Sequence, residues 1–405
     1  MGKQYRPRYR RPQKRSSPFS ARNIFIGVAI IALGFGCFFI FKAFSTPENF
    51  SDNPSPIKDD TGHASFVAVG DNIPNDVISK YADACAGETG DKVYDYNPIF
   101  SEIKSYITKS DLAYINFETH AGGDDIGPKG YPSFNTTSTM VDAVYDTGFN
   151  LIASATNHSY DWGAYGALEH SANLWKKKPV LFTGTAISQE DADEIKTFEA
   201  GGITVSLLNY TYGLNGYAED DVPGYAVNYL HEDRLKNDIS QAKLVSDFVL
   251  VALHWGTEYR FEPDDYQLSY AQIAADAGAD IVLGSHPHVI GPLKWVEGIE
   301  GNKTLVAYSL GNFLSHSDNP ASETQLQGML QCNLVKDKEG KRIENISWTP
   351  LVNHAEEGNY RVFALKDYSP ELAARHEAFG DLEDPIAWLK AKSLETIGTE
   401  FPLNC

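Results

Sequence analysis

The chain has 405 residues, 42% of them hydrophobic and 22% charged, which is the balance of a globular protein and excludes a fibrous or wholly disordered one. Eight of its 34 Lys/Arg lie in residues 1–22, which hold no acid, so the rest of the chain sets 26 bases against all 54 acids. A body this acidic excludes nucleic acid as a natural partner and repels a polyanion unless cations intervene.

Residues 1–22 read as a basic cytoplasmic segment and residues 23–41, NIFIGVAIIALGFGCFFIF, as a transmembrane anchor. The run is uncharged, and its length at ~1.5 Å per residue spans roughly 28 Å, about one hydrocarbon core. The basic block before it places the N-terminus inside by the positive-inside rule. A cleaved signal peptide competes with this reading, but the run is long for one. Lys42-Ala43-Phe44-Ser45 also offers no small-x-small cleavage site. The expectation is a single-pass protein of the cell membrane that contacts lipid through residues 23–41, with its C-terminal domain extracellular. Ala32 and Gly36 form a small-xxx-small pair of the kind that lets helices associate. Residues 42–62, rich in Pro, Ser, Asp and Asn, read as a flexible linker. Cys37 falls in the span. Cys85, Cys332 and Cys405 are odd in number, which leaves one bridge or free thiols open.

From His63 onward, short apolar runs ending in polar residues alternate with helical patterns. SFVAVGD (65–71) reads as a strand and turn. A helix-like stretch at 97–109 precedes the strand LAYINFE (112–118). TMVDAVYDTG puts Met140, Val144 and Tyr145 on one helical face and stops at Gly148, before NLIASATNH (150–158). A helix at 164–177 leads to VLFTGTA (180–186), and ITVSLLNYTY (203–212) follows. A helix at 231–245 leads to FVLVALHW (248–255), and one at 266–278 to DIVLGSHPH (280–288), with TLVAYSLGNF (304–313) next. Continuous Val, Ile, Leu and Ala in strands that follow helices indicates an α/β fold, a buried sheet layered between helices. The folded domain is expected over 63–354, and 355–405 as a C-terminal helical extension with segments at 370–379 and 384–396.

The polar residues sit just past the ends of these strands, where open α/β sheets place their sites. Five signatures supply them: GDNIPND, NFETH, TNHSYDWG, HWGTEY and GSHPH. Asp71, Glu118, Asn157, His254, His286 and His288 form a mixed oxygen and nitrogen donor set suited to one or two divalent ions. Glu118 has two oxygens with which to bridge two cations, and Asn116, on the same strand face, would brace it. His288 and His286, two residues apart, lie on one side of an extended segment stiffened by Pro287. His158 is placed to act as general acid, with Asp161 three residues on to hold its tautomer. Asn72 would orient a ligand or water, and Asn312 would support the site; His120 and His316 lie near these motifs. No GxSxG elbow, GxxxxGK[ST] loop or HExxH is present.

The order GD, NxE, NH-x-x-D-x-G, HWGxEY, G-x-HPH, SLGNF resembles the CapA family, also called the poly-γ-glutamate synthesis or PGA_cap family, over roughly residues 63–315. The resemblance implies a fold similar to calcineurin-like metallophosphoesterases: a four-layer-type sandwich of central sheets flanked by helices. It implies Asp71, Glu118, Asn157, His254, His286 and His288 as metal ligands with Glu118 bridging, His158 as general acid, and Mn, Fe or Zn as the metal. It also implies a membrane-tethered component that works with a polymer synthase complex in making or exporting an anionic γ-linked glutamate polymer. The metallophosphoesterase pattern opens with D-x-H, whereas Asp71 is followed here by Asn72 and Ile73. That substitution weakens the first metal position. Two other functions fit the same residues. One is an extracellular metal-dependent hydrolase of phosphoesters or wall polymer. The other is a non-catalytic scaffold that binds polymer.

Overall fold

A computed structural model describes residues 61–317 and 320–405. The basic segment 1–22, the anchor 23–41 and the linker up to residue 60 lie outside the described residues. Among the described residues no helix is long and apolar enough to cross a membrane.

Fourteen strands appear among the described residues, β1 (Gly62–Ile73), β2 (Leu112–Asn116), β3 (Leu151–Ala153), β4 (Leu181–Thr183), β5 (Thr197–Ala200), β6 (Ile203–Thr211) and β7 (Phe248–His254), then β8 (Ile281–Ser285), β9 (Leu293–Glu297), β10 (Lys303–Ala307), β11 (Asn312–Ser315), β12 (Leu326–Asp337), β13 (Gly340–Glu356) and β14 (Asn359–Ala364). They form an 8-stranded sheet, ordered β14-β13-β12-β1-β2-β3-β4 with β11 also on β1, and a 6-stranded sheet ordered β5-β6-β7-β8-β10-β9. Strands β1 to β4 run parallel, as do β6, β7, β8 and β10.

Side-chain alternation sets the layers. In β1, Ala64, Phe66 and Ala68 join Tyr114 of β2 in a core shared with Leu207, Leu250 and Leu283 of the other sheet. The two sheets therefore pack face to face. The opposite face of the first sheet, through Val67, Val69 and Ile115, packs on helical residues Ile78, Phe100, Met140 and Val144. The outer face of the second, through Val249, Val251 and Val282, packs on Leu235, Ile239 and Ala274. The layers run helix, sheet, sheet, helix, and strands buried on both faces explain the unbroken apolar runs in the sequence.

The helices begin and end where local chemistry dictates. Asp264 caps the helix Asp265–Ala277 in a reciprocal box with Gln267, and left-handed Gly278 closes it. The expected helix at 97–109 is broken into Asn97–Phe100 and Lys104–Ile107. The expected helix at 164–177 is a π-helical stretch, Tyr165–Ala172, running into Asn173–Trp175. The division at residue 354 falls inside β13, whose antiparallel pairing with β14 carries the sheet on to Ala364. Helices Pro370–Ala373 and Pro385–Ile397 follow. This C-terminal stretch is fastened to the sheet by His376, whose Nε2–H donates to the Asn353 carbonyl at 2.9 Å while its Nδ1 accepts from Ala378 N at 3.0 Å. Cys85, Cys332 and Cys405 are free.

Candidate metal centre

The parallel strands of both sheets end at one place. Gly70 precedes the first donor because β1 meets β11 there: a Cβ at Gly70 would lie 1.8 Å from the Gly311 carbonyl oxygen. The next residue, Asp71, is wholly buried. Its Oδ1 accepts from Asn116 Nδ2 at 2.8 Å, and its Oδ2 accepts from His286 N at 3.1 Å. Asn116 thus braces Asp71 and not Glu118, because the parallel register sets Asp71 beside Asn116. Asn72 is buried with neither side-chain polar atom partnered.

Glu118, just past β2, is buried, and neither of its carboxylate oxygens has a hydrogen-bond partner. Beyond β3, Asn157 Oδ1 accepts from His254 Nε2 at 2.9 Å. At the end of β7, His254 is fully buried, with its Nδ1 2.9 Å from Ser285 Oγ and its Nε2 3.6 Å from Glu118 Oε1. Ser285 was not foreseen, though it lies in the GSHPH signature. Beyond β8 the backbone departs from the extended form expected there. His286 and His288 adopt φ of 95° and 60°, a left-handed bend unusual for side chains of this size. The His286 N–H bond to Asp71 holds that bend. His288 Nδ1 donates to Asn312 Oδ1 at 2.8 Å, which makes Asn312 the support of this ligand, and lies 3.6 Å from Asp71 Oδ2.

Beside this cluster, His158 Nδ1 donates to Asp161 Oδ2 at 2.8 Å, and the same oxygen accepts from Phe134 N at 2.8 Å. The imidazole packs edge-on to Phe134. Asn215, from the loop after β6, places Nδ2 3.4 Å from His158 Nε2 and donates its backbone N–H to the Asn157 carbonyl at 2.8 Å. The sequence offered no sign of Asn215 or of Tyr212, whose ring lies against His254 and His286. His120 is buried near this pair, and burial pushes it down to about 4. His316 pairs instead with Glu377 and Asn75, away from the donor cluster.

The donors fall into overlapping triads. Ligand atoms of Glu118, His254 and His286 lie within 4.8 Å of one another, as do those of Asp71, Glu118 and His288, and those of Glu258, His286 and His288. Glu118 is common to the first two, the place of a bridging ligand. Burial, with the Asp71 charge, pushes Glu118 well above the carboxylate range. Burial and the neighbouring histidines push His254 well below its usual value, and burial with His288 and His158 takes His286 down to about 3. For His288, burial opposes the charge, but Glu118 and Asp71 outweigh it and raise the imidazole to about 10. Two imidazoles held neutral beside a carboxylate with no hydrogen-bond donor are what a divalent cation requires of its ligands. The orphaned Glu118 oxygens and the orphaned buried Nδ1 of His286 fit such an ion.

Residues 65–317 match the family model described as bacterial capsule synthesis protein PGA_cap. The chain belongs to this family. PGA biosynthesis protein CapA of Bacillus subtilis (strain 168) is 30% identical over 332 residues, spanning 79% of this chain and 79% of that one. Capsule biosynthesis protein CapA of Bacillus anthracis is 30% identical over 234 residues, 55% of this chain and 54% of the relative. Among solved structures, calcineurin-like phosphoesterase YfkN from Bacillus subtilis aligns at a TM-score of 0.42 and 12% identity, over 83% of this chain and 98% of that one. That last likeness is one of outline and assigns no residue a role. In this PGA_cap chain the matched span contains Asp71, Glu118, Asn157, His158, Asp161, His254, His286 and His288.

Proposed function

We propose that the protein serves the synthesis or export of poly-γ-glutamate or a related anionic surface polymer, and that its domain acts there as a metal-dependent hydrolase. The observation that carries the reading is Glu118, a buried carboxylate with both oxygens unpartnered, shared by two donor triads. Membership of the capsule synthesis family supplies the biological setting. The basic segment and the apolar run at 23–41 support an anchored protein whose domain faces outward, where lipid and a membrane polymer synthase are its partners.

Asp71, Glu118, Asn157, His254, His286 and His288 would hold one or two divalent ions. Bound there, such an ion polarises a phosphoryl or amide centre and acidifies water. Asp161 fixes the proton on His158 Nδ1 and leaves Nε2 as the atom that exchanges a proton with the leaving group. Asn215 limits how far that imidazole can swing. Phe134 and Tyr212 present apolar faces around these groups and thin the water near them.

Elemental analysis of the full-length chain purified without chelator tests the site, beside a His254→Ala/His286→Ala variant. One to two equivalents of metal in the parent and their loss in the variant are expected. Absence of metal from both, even after manganese or zinc is added, sinks the assignment. Turnover of phosphodiesters and γ-glutamyl polymers by the loaded protein then separates a hydrolase from a polymer-holding scaffold.

A further inference from the structure

The third triad contains Glu258, the acid of the HWGTEY signature, which the six-residue donor set leaves out. Glu258 lies in the HWGTEY segment, which leaves β7 and turns back across the histidine bend. Tyr259 takes φ of 63° and donates its backbone N–H to the Pro287 carbonyl at 2.8 Å. That bond hooks the loop onto the residue between His286 and His288. The Tyr259 ring rests against His288. Glu258 is carried with it, so that its carboxylate comes within 4.8 Å of ligand atoms of both histidines.

Three observations set Glu258 apart from an ordinary surface acid. It makes no hydrogen bond or ion pair among the described residues. Its charge is felt inward, by Glu118 and by Tyr212 and Tyr259. The histidine beside it, His286, is 4% exposed, and its buried Nδ1 has no partner. A carboxylate placed outside two imidazoles, with one imidazole nitrogen left over, is the geometry of an open ligand position.

Charge points the same way. The two inner triads contain only two carboxylates, Asp71 and Glu118. Two divalent cations held by these alone keep two positive charges in a buried place, and a third carboxylate halves that excess.

We propose that Glu258 is a metal ligand reaching the centre from the solvent side and closing it over His286 and His288. The proposal rests on the metal-centre reading of the preceding section. It gives the centre a buried carboxylate floor, Glu118, and an exposed carboxylate on a loop. The exposed one is the ligand that an incoming anionic oxygen displaces.

The test is Mn(II) binding by the full-length chain, followed by electron paramagnetic resonance and by calorimetric titration. Glu258→Gln is compared with Glu258→Asp and with Glu262→Gln, an exposed acid on the same segment. Outer partners of metal ligands are worth ~10-fold or more in affinity, and a direct ligand is worth at least that. The expected result is Mn(II) bound about tenfold or more weakly at one position in Glu258→Gln, or one equivalent lost. Partial recovery is expected in Glu258→Asp and no change in Glu262→Gln. Unchanged stoichiometry and affinity in a folded Glu258→Gln overturns the role of Glu258 and leaves the Glu118 centre standing. Failure of the parent protein to bind Mn(II) at all overturns both.

Discussion

The contact between Gly70 and Gly311 ties the stability of the fold to the geometry of the site, and Gly70→Ala measures it. A Cβ at residue 70 would sit 1.8 Å from the Gly311 carbonyl oxygen and 2.8 Å from its carbon, so the clash is with backbone and no rotamer relieves it. To reach even a tight 3.0 Å contact, the Gly311 oxygen must retreat by about 1.2 Å. That oxygen accepts the Asp71 N–H at 2.9 Å, and the next residue, Asn312, accepts from His288 Nδ1 at 2.8 Å. A shift of this size stretches both bonds beyond hydrogen-bond range. Overpacking costs ~1–3 kcal/mol and each lost bond ~1 kcal/mol, so Gly70→Ala should destabilise the domain by about 3–5 kcal/mol. Asp71 loses its backbone anchor and His288 its brace together, so metal affinity should also fall by ~10-fold or more. Thermal denaturation and Mn(II) titration read the two effects. Gly224→Ala is the control, since a Cβ there meets nothing within 4 Å. A Gly70→Ala protein that melts and binds metal like Gly224→Ala refutes the reasoning.

The remaining predictions concern two histidines. His158→Asn removes the proton carrier but touches no donor of the three triads. Metal content should therefore be unchanged while turnover falls by ~10²–10⁴-fold, the usual worth of a general acid, and a parallel loss of metal would count against that division of roles. His376 is held neutral by burial, which lowers it to about 4 from 6.5. A depressed imidazole contributes stability above the unfolded value, and that stability is lost as pH falls through the folded one. About 3 kcal/mol should therefore disappear between pH 6.5 and 4. Urea denaturation of chelated protein against pH should show a shallower acid loss in His376→Gln than in the parent, with the other buried histidines common to both. Equal slopes would mean that His376 does not carry this part of the acid response.

Much of the site was legible because each donor follows a strand buried on both faces. FVLVALH and LAYINFE announce their strands by unbroken apolar runs, and the residue that ends such a run in a parallel sheet is carried to the carboxyl edge. What spacing could not give was pairing. That Asn116 braces Asp71 follows from the register of β1 with β2, which no local pattern encodes. The bend at His286 and His288 is fixed by an oxygen of Asp71, 215 residues away, so two residues of an HxH motif read as extended are in fact left-handed. Glu258 is exposed and lies on a loop, and its place in the HWGTEY signature does not reveal a ligand role until the chain turn at Tyr259 brings it to the histidines. The meander β12–β13–β14 was hidden for a different reason. Its strands mix one-sided and two-sided burial, as in IENISW against PLVNHA of β13, and so show neither clean alternation nor a continuous run.

The division of donors between the sheets gives the arrangement its physical sense. Asp71 lies near the end of β1 and Glu118 and Asn157 follow β2 and β3 of the larger sheet, whereas His254, His286 and His288 end or follow β7 and β8 of the smaller one. Oxygen donors thus face nitrogen donors across the seam, at a separation set by the core of Phe66, Tyr114, Leu250 and Leu283 between the sheets. Without a cation this seam is electrostatically poor. Glu118 is driven toward protonation and His288 toward a buried positive charge, while His286 keeps a buried Nδ1 with no partner. A divalent ion would satisfy all three at once, and because it would bind both sheets its free energy would add to the stability of the whole domain. That contribution is about 2.7 kcal/mol at a hundredfold excess over the dissociation constant. The same ion answers the difficulty raised by composition. A chain with 54 acids has little else with which to attract the polyanion proposed for it, and a cation held at the open edge of both sheets would supply the positive charge that the acids do not.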